Sequence, residues 1–371
     1  MTRKARCVVS GSALCEAALK TEITDILWTL TSQCNLTCSY CAVRSAASGH
    51  IREPSAGDIA TIIRQLESLP NLESLVLTGG EALLSPHLRE VLEWSSTRDF
   101  RTYVITNGTT LNDKSQAIVA QYRPCMMITM DSLNETENAR TRGSGTLSRA
   151  LESLSWCQAE DLDVVAISVI TVHNIATICR SIERLYEHGV RNFLLQQLHC
   201  WSASLARYYR GASPSPERFL EMESCLRRLR RLDGLVLDSA ELCFFLDRPR
   251  QYVEKCRPNR SYLPQRMFMC GAGFKLFAIR PDGSVVPCNA FWNYVVGNLL
   301  EGEVEDILVK SPRLTVLRDL RNRRVDEIPG CSGCKYAPIC DGGCRADALN
   351  VLGDIAGRHP YCPYGEPGQV K

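Results

Sequence analysis

The sequence lacks the features that place a protein in a membrane or direct it out of the cell. No apolar run approaches the roughly 20 residues that a transmembrane helix needs. The apolar run after the basic first residues is short and is interrupted by Gly11, Glu16 and Lys20, so we predict no secretory signal. The chain also lacks an excess of either charge, because 43 basic and 41 acidic side chains leave a net charge of +2. We therefore expect a cytoplasmic protein with neither a membrane nor a nucleic-acid partner.

The sequence also lacks internal repeats and low-complexity segments, and its apolar and charged fractions of 45% and 23% are ordinary for a globular protein. One residue type is abundant instead, since the 371 residues include 19 cysteines. Without an export signal, so many thiols indicate ligation of metals or clusters in a reducing cytosol, rather than disulfides.

Strand-like and helix-like segments alternate through the first half of the chain. Continuous apolar runs predict strands at 26–31, 72–78, 102–106, 126–131, 164–171 and 193–198. Helical patterns lie between them at 56–69, 86–94, 114–122, 147–158 and 175–188. Six β-α units predict an α/β fold, a partial (β/α)6 barrel like a TIM barrel, whose functional groups collect at the carboxyl ends of the strands.

The composition changes after residue 210. Residues 217–232 have the pattern of an amphipathic helix, and from Cys256 onward the chain is rich in Cys, Gly and Pro. We expect that this second region cannot build a large apolar core and that metal clusters hold it together.

Three cysteines follow the first predicted strand as Cys34-x3-Cys38-x2-Cys41. Three thiolates so close together can bind three corners of a four-iron cluster and leave the fourth iron open to a ligand. A zinc knuckle without its fourth ligand, or a chance grouping, is the alternative. The second strand ends in Gly79-Gly80-Glu81, where the glycines let the backbone approach a ligand and Glu81 can accept a hydrogen bond from a cationic amine.

These two motifs together resemble those of the radical S-adenosylmethionine (radical SAM) superfamily, in which an aromatic residue such as Tyr40 often precedes the third cysteine. The resemblance implies that Cys34, Cys38 and Cys41 bind a [4Fe-4S] cluster whose open iron chelates S-adenosylmethionine. Electron transfer from the cluster would then give a 5′-deoxyadenosyl radical that abstracts a substrate hydrogen atom. Flavodoxin or ferredoxin would supply the electron.

The resemblance also implies contacts to S-adenosylmethionine along the barrel. Thr129 and Arg142 would hold the methionine carboxylate, and Ser168 would contact the ribose. The full implied set is Gly79, Gly80, Glu81, Asn107, Thr129, Arg142 and Ser168.

The C-terminal region carries a second set of spaced cysteines. Cys270 is followed by twelve residues, Gly283, four residues and Cys288; further on come Cys331-x2-Cys334-x5-Cys340-x3-Cys344 and, after seventeen residues, Cys362. A zinc ribbon would use four of these ligands and leave three unexplained. The pattern is similar to the SPASM extension of radical SAM enzymes.

That resemblance implies two auxiliary [4Fe-4S] clusters, three clusters in all. Auxiliary cluster I would be bound by Cys270, Cys288 and Cys344, with Cys256 as the only nearby candidate for a fourth ligand; otherwise one iron stays open. Auxiliary cluster II would be bound by Cys331, Cys334, Cys340 and Cys362. The implied organisation is an N-terminal extension (1–23), a radical SAM core barrel (24–212), a bridging helical region (213–265) and a SPASM domain (266–371).

The leading functional hypothesis is an oxidoreductase that crosslinks or oxidises a peptide or protein during natural-product maturation. Because the first strand begins near residue 26, we expect no fused leader-peptide-recognition domain, so a peptide substrate would need a separate recognition protein or none. Sulfatase-maturing relatives carry an Asp base directly after the second SPASM cysteine, and Asn289 at that position disfavours their reaction here.

The alternative is oxidation or epimerisation of a small natural product, such as an aminosugar or cyclitol. Cys200, which follows the sixth strand, would then donate a hydrogen atom to the substrate radical, with Cys243 and Cys256 as weaker candidates. The candidate general bases are His199, His50 and Glu241. The remote alternative is a non-enzymatic Cys-rich metal scaffold.

Overall fold

Parallel strands and helices alternate in the structure, a computed structural model that describes residues 23–43, 51–238, 270–334, 337, 342–360 and 362. The strands are β1 Asp25–Thr29, β2 Ser74–Thr78, β3 Arg101–Thr106, β4 Cys125–Thr129, β5 Val164–Ile170, β6 Asn192–Gln197, β7 Val236–Asp238, β8 Leu276–Ile279, β9 Ser284–Val286 and β10 Gly297–Asn298. The α-helices are α1 Ala56–Leu66, α2 Leu88–Ser96, α3 Asp113–Tyr122, α4 Glu135–Arg142, α5 Thr146–Ala159, α6 Ile178–Glu187, α7 Ala206–Ala212, α8 Pro216–Leu229, α9 Val304–Lys310, α10 Pro312–Asn322 and α11 Arg345–Leu352.

The ten strands form one sheet in the order β10-β9-β8-β1-β2-β3-β4-β5-β6-β7. The eight strands from β8 to β7 run parallel, and β9 and β10 add an antiparallel edge. The six predicted strands are confirmed, each within two residues at either end, and so is the partial barrel architecture. The carboxyl ends of the parallel strands lie on one edge, so the loops after β1 and β6 open on the same side of the barrel.

Local sequence signals set the helix boundaries. Ser55 caps α1, where its side chain accepts the N–H of Asp58 while the Asp58 carboxylate accepts the N–H of Ser55. Asn112 caps α3 in the same way with Ser115. Helix α1 buries one apolar face, since Ile59 and Ile62 are fully buried.

The C-terminal region packs into the same core as the barrel. β8 pairs in parallel with β1, placing Phe277 opposite Ile26. Phe277 and Leu317 are fully buried in the cluster of side chains that fills the barrel. This region therefore contains buried apolar residues, and they belong to the core of the barrel rather than to a separate core. That metal clusters also hold the region together stays a prediction. No helix in the described part of the chain is long and apolar enough to cross a membrane.

Replacing Phe277 by alanine should lower the free energy of unfolding by about 3–5 kcal/mol, because it leaves a cavity between β8 and the barrel. Val236→Ala is the matched control, since that side chain on β7 is 58% exposed and its loss should change stability by about 0.5 kcal/mol or less. Thermal unfolding followed by circular dichroism measures both. If Phe277→Ala destabilised only a separate C-terminal transition and left the barrel transition unchanged, the shared core would be refuted.

Candidate functional site

The cysteine loop after β1 brings three thiols together. Cys34 is exposed, whereas Cys38 and Cys41 are half-buried, and none of the three is in a disulfide. Burial raises the pKa of Cys38 to about 11, and the charges of Cys41 and Cys34 add to that shift. The charges of Cys34 and Cys41 affect the pKa of Cys38 because the three thiols lie close together. This proximity fits a cluster bound by three cysteines.

Two glycines after β2 lie directly beneath this loop. Gly80 donates its N–H to the carbonyl of Thr31 at 2.8 Å, and Glu81 donates its N–H to the carbonyl of Gln33 at 2.8 Å. A Cβ added to Gly80 would lie 2.3 Å from the Gln33 carbonyl oxygen. The backbone that lies close to this glycine motif is therefore that of the cysteine loop. The implied contact of both glycines with S-adenosylmethionine stays a prediction.

The Glu81 carboxylate is 2% exposed and holds neighbouring strand ends together. Its Oε1 accepts the Thr106 hydroxyl at 2.7 Å and the Leu83 N–H at 3.1 Å, while Oε2 accepts the Asn107 N–H at 2.8 Å. Burial raises the pKa of Glu81, and these hydrogen bonds oppose the shift. A carboxylate has about four acceptor positions, so one remains for the amine that the sequence predicts as a ligand.

A buried polar network joins the cysteine loop to β4 and α4. Arg142 donates from its two terminal nitrogens to the Tyr40 hydroxyl at 2.9 Å and to the Thr129 hydroxyl at 2.6 Å. Asp131 Oδ2 accepts the Tyr40 hydroxyl at 2.7 Å and the Thr141 hydroxyl at 2.6 Å. Burial alone would lower the pKa of Arg142, but Tyr40, Asp131 and Cys38 raise it, so the guanidinium stays charged. Thr129 and Arg142 thus lie together, as the predicted carboxylate contact requires.

Asn107 directly follows β3, and Ser168 lies within β5, with β4 between these two strands in the sheet. The Asn107 amide lies 3.9 Å from the Cys34 sulfur and donates to Asn35 Oδ1 at 3.0 Å. Ser168 is 8% exposed and donates its hydroxyl to the Met130 carbonyl at 2.6 Å. Their implied contacts with S-adenosylmethionine stay predictions.

The C-terminal cysteines form two groups. Burial, followed by the charges of Cys270 and Cys344, raises the pKa of Cys288, so these three thiols are neighbours. Burial, followed by the charge of Cys362, raises the pKa of Cys331, and Cys334 adds to the shift while Arg358 opposes it. Charge interactions thus join Cys288 with Cys270 and Cys344, and Cys331 with Cys334 and Cys362. The roles of these cysteines as ligands of two auxiliary clusters stay predictions.

Several predicted residues lie outside the described part of the chain. They are Cys340 of the second auxiliary group, Cys256 and Cys243, and the candidate bases His50 and Glu241. Their roles stay predictions.

The first auxiliary group lies against the end of β6. A ring nitrogen of His199, the Cys344 sulfur and a carboxylate oxygen of Asp347 all lie within 4.8 Å of one another. Cys200 beside them is fully buried, and its thiol donates to the Ser202 carbonyl at 3.1 Å. Burial raises the pKa of Cys200 to about 11. Transfer of a hydrogen atom from Cys200 to a substrate radical stays a prediction. In the structure this thiol donates its hydrogen bond within the protein.

Both cysteine-rich regions match known families. Residues 28–185 match the radical SAM superfamily, and residues 270–335 match the SPASM iron-sulfur cluster-binding domain. The chain is a radical SAM enzyme with a C-terminal SPASM domain. Its cofactors are accordingly [4Fe-4S] clusters and S-adenosylmethionine, and the three groups of thiols described above fit that requirement.

Relatives of this radical SAM enzyme extend over nearly its whole length. It is 24% identical to an AdoMet-dependent heme synthase of Methanosarcina barkeri, with 93% of this chain and 97% of the relative covered. It is 25% identical to a PqqA peptide cyclase of Ruegeria pomeroyi, with 90% and 85% covered. The fold matches SuiB of Streptococcus suis bound to its precursor peptide SuiA with a TM-score of 0.72 at 17% identity, covering 93% of this chain and 78% of SuiB.

Gly80→Ala should prevent the cysteine loop from closing over β2, because its Cβ would overlap the Gln33 carbonyl. We expect iron in the anaerobically reconstituted protein to fall from about twelve to about eight atoms per chain. Gly57→Ala is the matched control, since a Cβ there meets only the Ser55 hydroxyl at 3.7 Å. Iron content that is unchanged in Gly80→Ala would contradict the dependence of the loop on this glycine.

Arg142→Gln should weaken S-adenosylmethionine binding by about tenfold or more, equivalent to at least about 1.4 kcal/mol, because it removes the buried cation beside Thr129. Calorimetric titration of the reconstituted enzyme measures the affinity. Arg140→Gln on the same helix is the control, since Arg140 is exposed at the surface. Equal affinities of the two variants would remove Arg142 from the binding site.

Proposed function

We propose that this enzyme performs a two-electron oxidation of a peptide or protein substrate. One observation carries the proposal: the thiols after β1 and the thiols of the first auxiliary group lie at the same end of the barrel. The first group follows β1, and Cys344 of the second is within 4.8 Å of a His199 ring nitrogen just after β6. A substrate bound at this end lies between a site that removes a hydrogen atom and a site that accepts an electron.

Each site has a distinct part in this reaction. When bound at Cys34, Cys38 and Cys41, the cluster and S-adenosylmethionine supply the 5′-deoxyadenosyl radical that removes one hydrogen atom from the substrate. The oxidation is completed when the substrate loses a further electron and a proton. Cys270, Cys288 and Cys344 would hold the auxiliary cluster that takes up this electron, and the electron would return to the flavodoxin or ferredoxin that supplied one electron at the start of the turnover. The substrate thus loses two electrons, and S-adenosylmethionine gains two as it becomes methionine and 5′-deoxyadenosine.

The polar network supports roles for three further residues in cofactor binding. Glu81 would accept the amino group of S-adenosylmethionine, and Arg142 with Thr129 would hold its carboxylate. Because these side chains are buried and already positioned by hydrogen bonds, they orient the cofactor with little loss of entropy on binding.

Support for a peptide substrate comes from relatives. They include the PqqA peptide cyclase, mycofactocin maturase MftC of Mycobacterium ulcerans and the subtilosin biosynthesis protein AlbA of Bacillus subtilis. The second candidate is oxidation of a tetrapyrrole. The heme synthase relative favours it, because the match with this chain covers 97% of that relative. Epimerisation of a small molecule through Cys200 is less favoured, because that thiol is fully buried.

The reaction class is tested with the variant Cys34→Ala/Cys38→Ala/Cys41→Ala. Iron in the reconstituted protein should fall from about twelve to about eight atoms per chain, since one of three four-iron clusters is lost. Release of 5′-deoxyadenosine from S-adenosylmethionine, measured by chromatography, should cease. Zinc in place of iron, or an unchanged cluster content in the variant, would contradict the radical reaction and indicate a non-enzymatic metal scaffold.

The substrate class is tested by supplying peptides encoded beside the gene and, separately, Fe-coproporphyrin III, the tetrapyrrole after which a second relative from Methanosarcina barkeri is named. A peptide substrate should increase 5′-deoxyadenosine release and lose hydrogen atoms in pairs, as mass spectrometry of the product reports. A response to the tetrapyrrole alone would select the second candidate. Incorporation of one deuterium atom from the solvent at a single carbon of the substrate, without net loss of hydrogen, would instead indicate epimerisation.

A further inference from the structure

The first auxiliary group has three cysteines within the described residues, and a histidine lies beside it. Cys344 immediately precedes α11, and its sulfur lies within 4.8 Å of a ring nitrogen of His199. His199 comes from the loop after β6, far away in sequence. Its side chain is 16% exposed, so most of the ring lies inside the protein.

Asp347 holds this imidazole in place. The carboxylate is fully buried, and its Oδ2 lies 3.2 Å from His199 Nδ1 and 3.4 Å from His359 Nε2. Its Oδ1 accepts the N–H of Cys200 at 2.9 Å, and Gln197 Nε2 lies 3.5 Å from Oδ2. Both oxygens therefore already bind groups at the end of β6, so Asp347 acts as a positioning residue.

A carboxylate that orients a histidine ring is the usual arrangement around a metal-ligating histidine. The hydrogen bond on one ring nitrogen fixes the tautomer and directs the other nitrogen at the metal. Imidazole also replaces thiolate as an iron ligand in some iron–sulfur clusters, where it raises the reduction potential. A neutral ligand makes the cluster less negative and therefore a better electron acceptor.

We propose that His199 is the fourth ligand of auxiliary cluster I, together with Cys270, Cys288 and Cys344. This assignment rests on the proposed function in one respect, because it assumes that these three cysteines bind a [4Fe-4S] cluster. It closes the coordination of that cluster without Cys256. It also gives the cluster a potential suited to accepting the electron that the substrate loses.

The test is pulsed electron paramagnetic resonance on protein labelled with ¹⁵N-histidine. The background is Cys34→Ala/Cys38→Ala/Cys41→Ala, so that only auxiliary clusters contribute to the spectrum of the reduced protein. We expect a strong ¹⁵N coupling that His199→Ala and His199→Cys both abolish. His359→Gln is the matched control, since this ring contacts the same carboxylate and its loss should leave the coupling in place.

The cysteine variant keeps the proposal testable if His199→Ala fails to fold. His199→Cys should retain about eight irons per chain in this background, because a thiolate fills the position, and should shift the cluster potential to a more negative value. Absence of ¹⁵N coupling in a parent protein that holds about eight irons would overturn histidine ligation and leave the proposed function intact. A parent protein without auxiliary iron would overturn both.

Discussion

The position of the cysteine loop depends on the charges of Arg142 and Asp131, which are buried away from water. Arg142 and Asp131 are 7% and 1% exposed, and the Tyr40 hydroxyl lies between them, accepting from one and donating to the other. Removing one partner of such a pair leaves a buried charge, at a cost of about 3–5 kcal/mol. The network therefore links the loop, the end of β4 and the end of α4. The network contributes a defined geometry more than net stability, because desolvation offsets much of its attraction.

A second buried carboxylate has the same role near the first auxiliary group. Asp347 is a buried carboxylate that gathers the Cys200 N–H and two histidine rings, just as Asp131 gathers two hydroxyls and the N–H of Val169. In each case a carboxylate ties a cysteine-bearing segment to the carboxyl end of a parallel strand. Both segments therefore lie at the carboxyl ends of parallel strands, at the same end of the barrel.

The pattern of apolar residues predicted the six strands and the main helices. The strands were predictable because continuous apolar runs are typical of strands buried on both faces of a parallel sheet. It missed α4, whose buried residues Asn138, Thr141 and Arg142 are polar and so leave no apolar stripe. It also missed β8, a strand of four residues whose partner β1 is hundreds of positions away. Cysteine spacing predicts two auxiliary ligand groups, and their binding of clusters stays a prediction. The contact of His199 with Asp347, 148 positions apart, has no local signature, and only the folded chain brings the two together.

The ligand count at the first auxiliary group decides what that group can do. An iron with an open position binds a substrate atom directly, so the substrate would have to reach the metal. An iron whose coordination is complete accepts electrons through space, and the substrate needs only to lie nearby. The buried carboxylate beside His199 favours the second case, since it fixes an imidazole at the thiol group before any substrate enters.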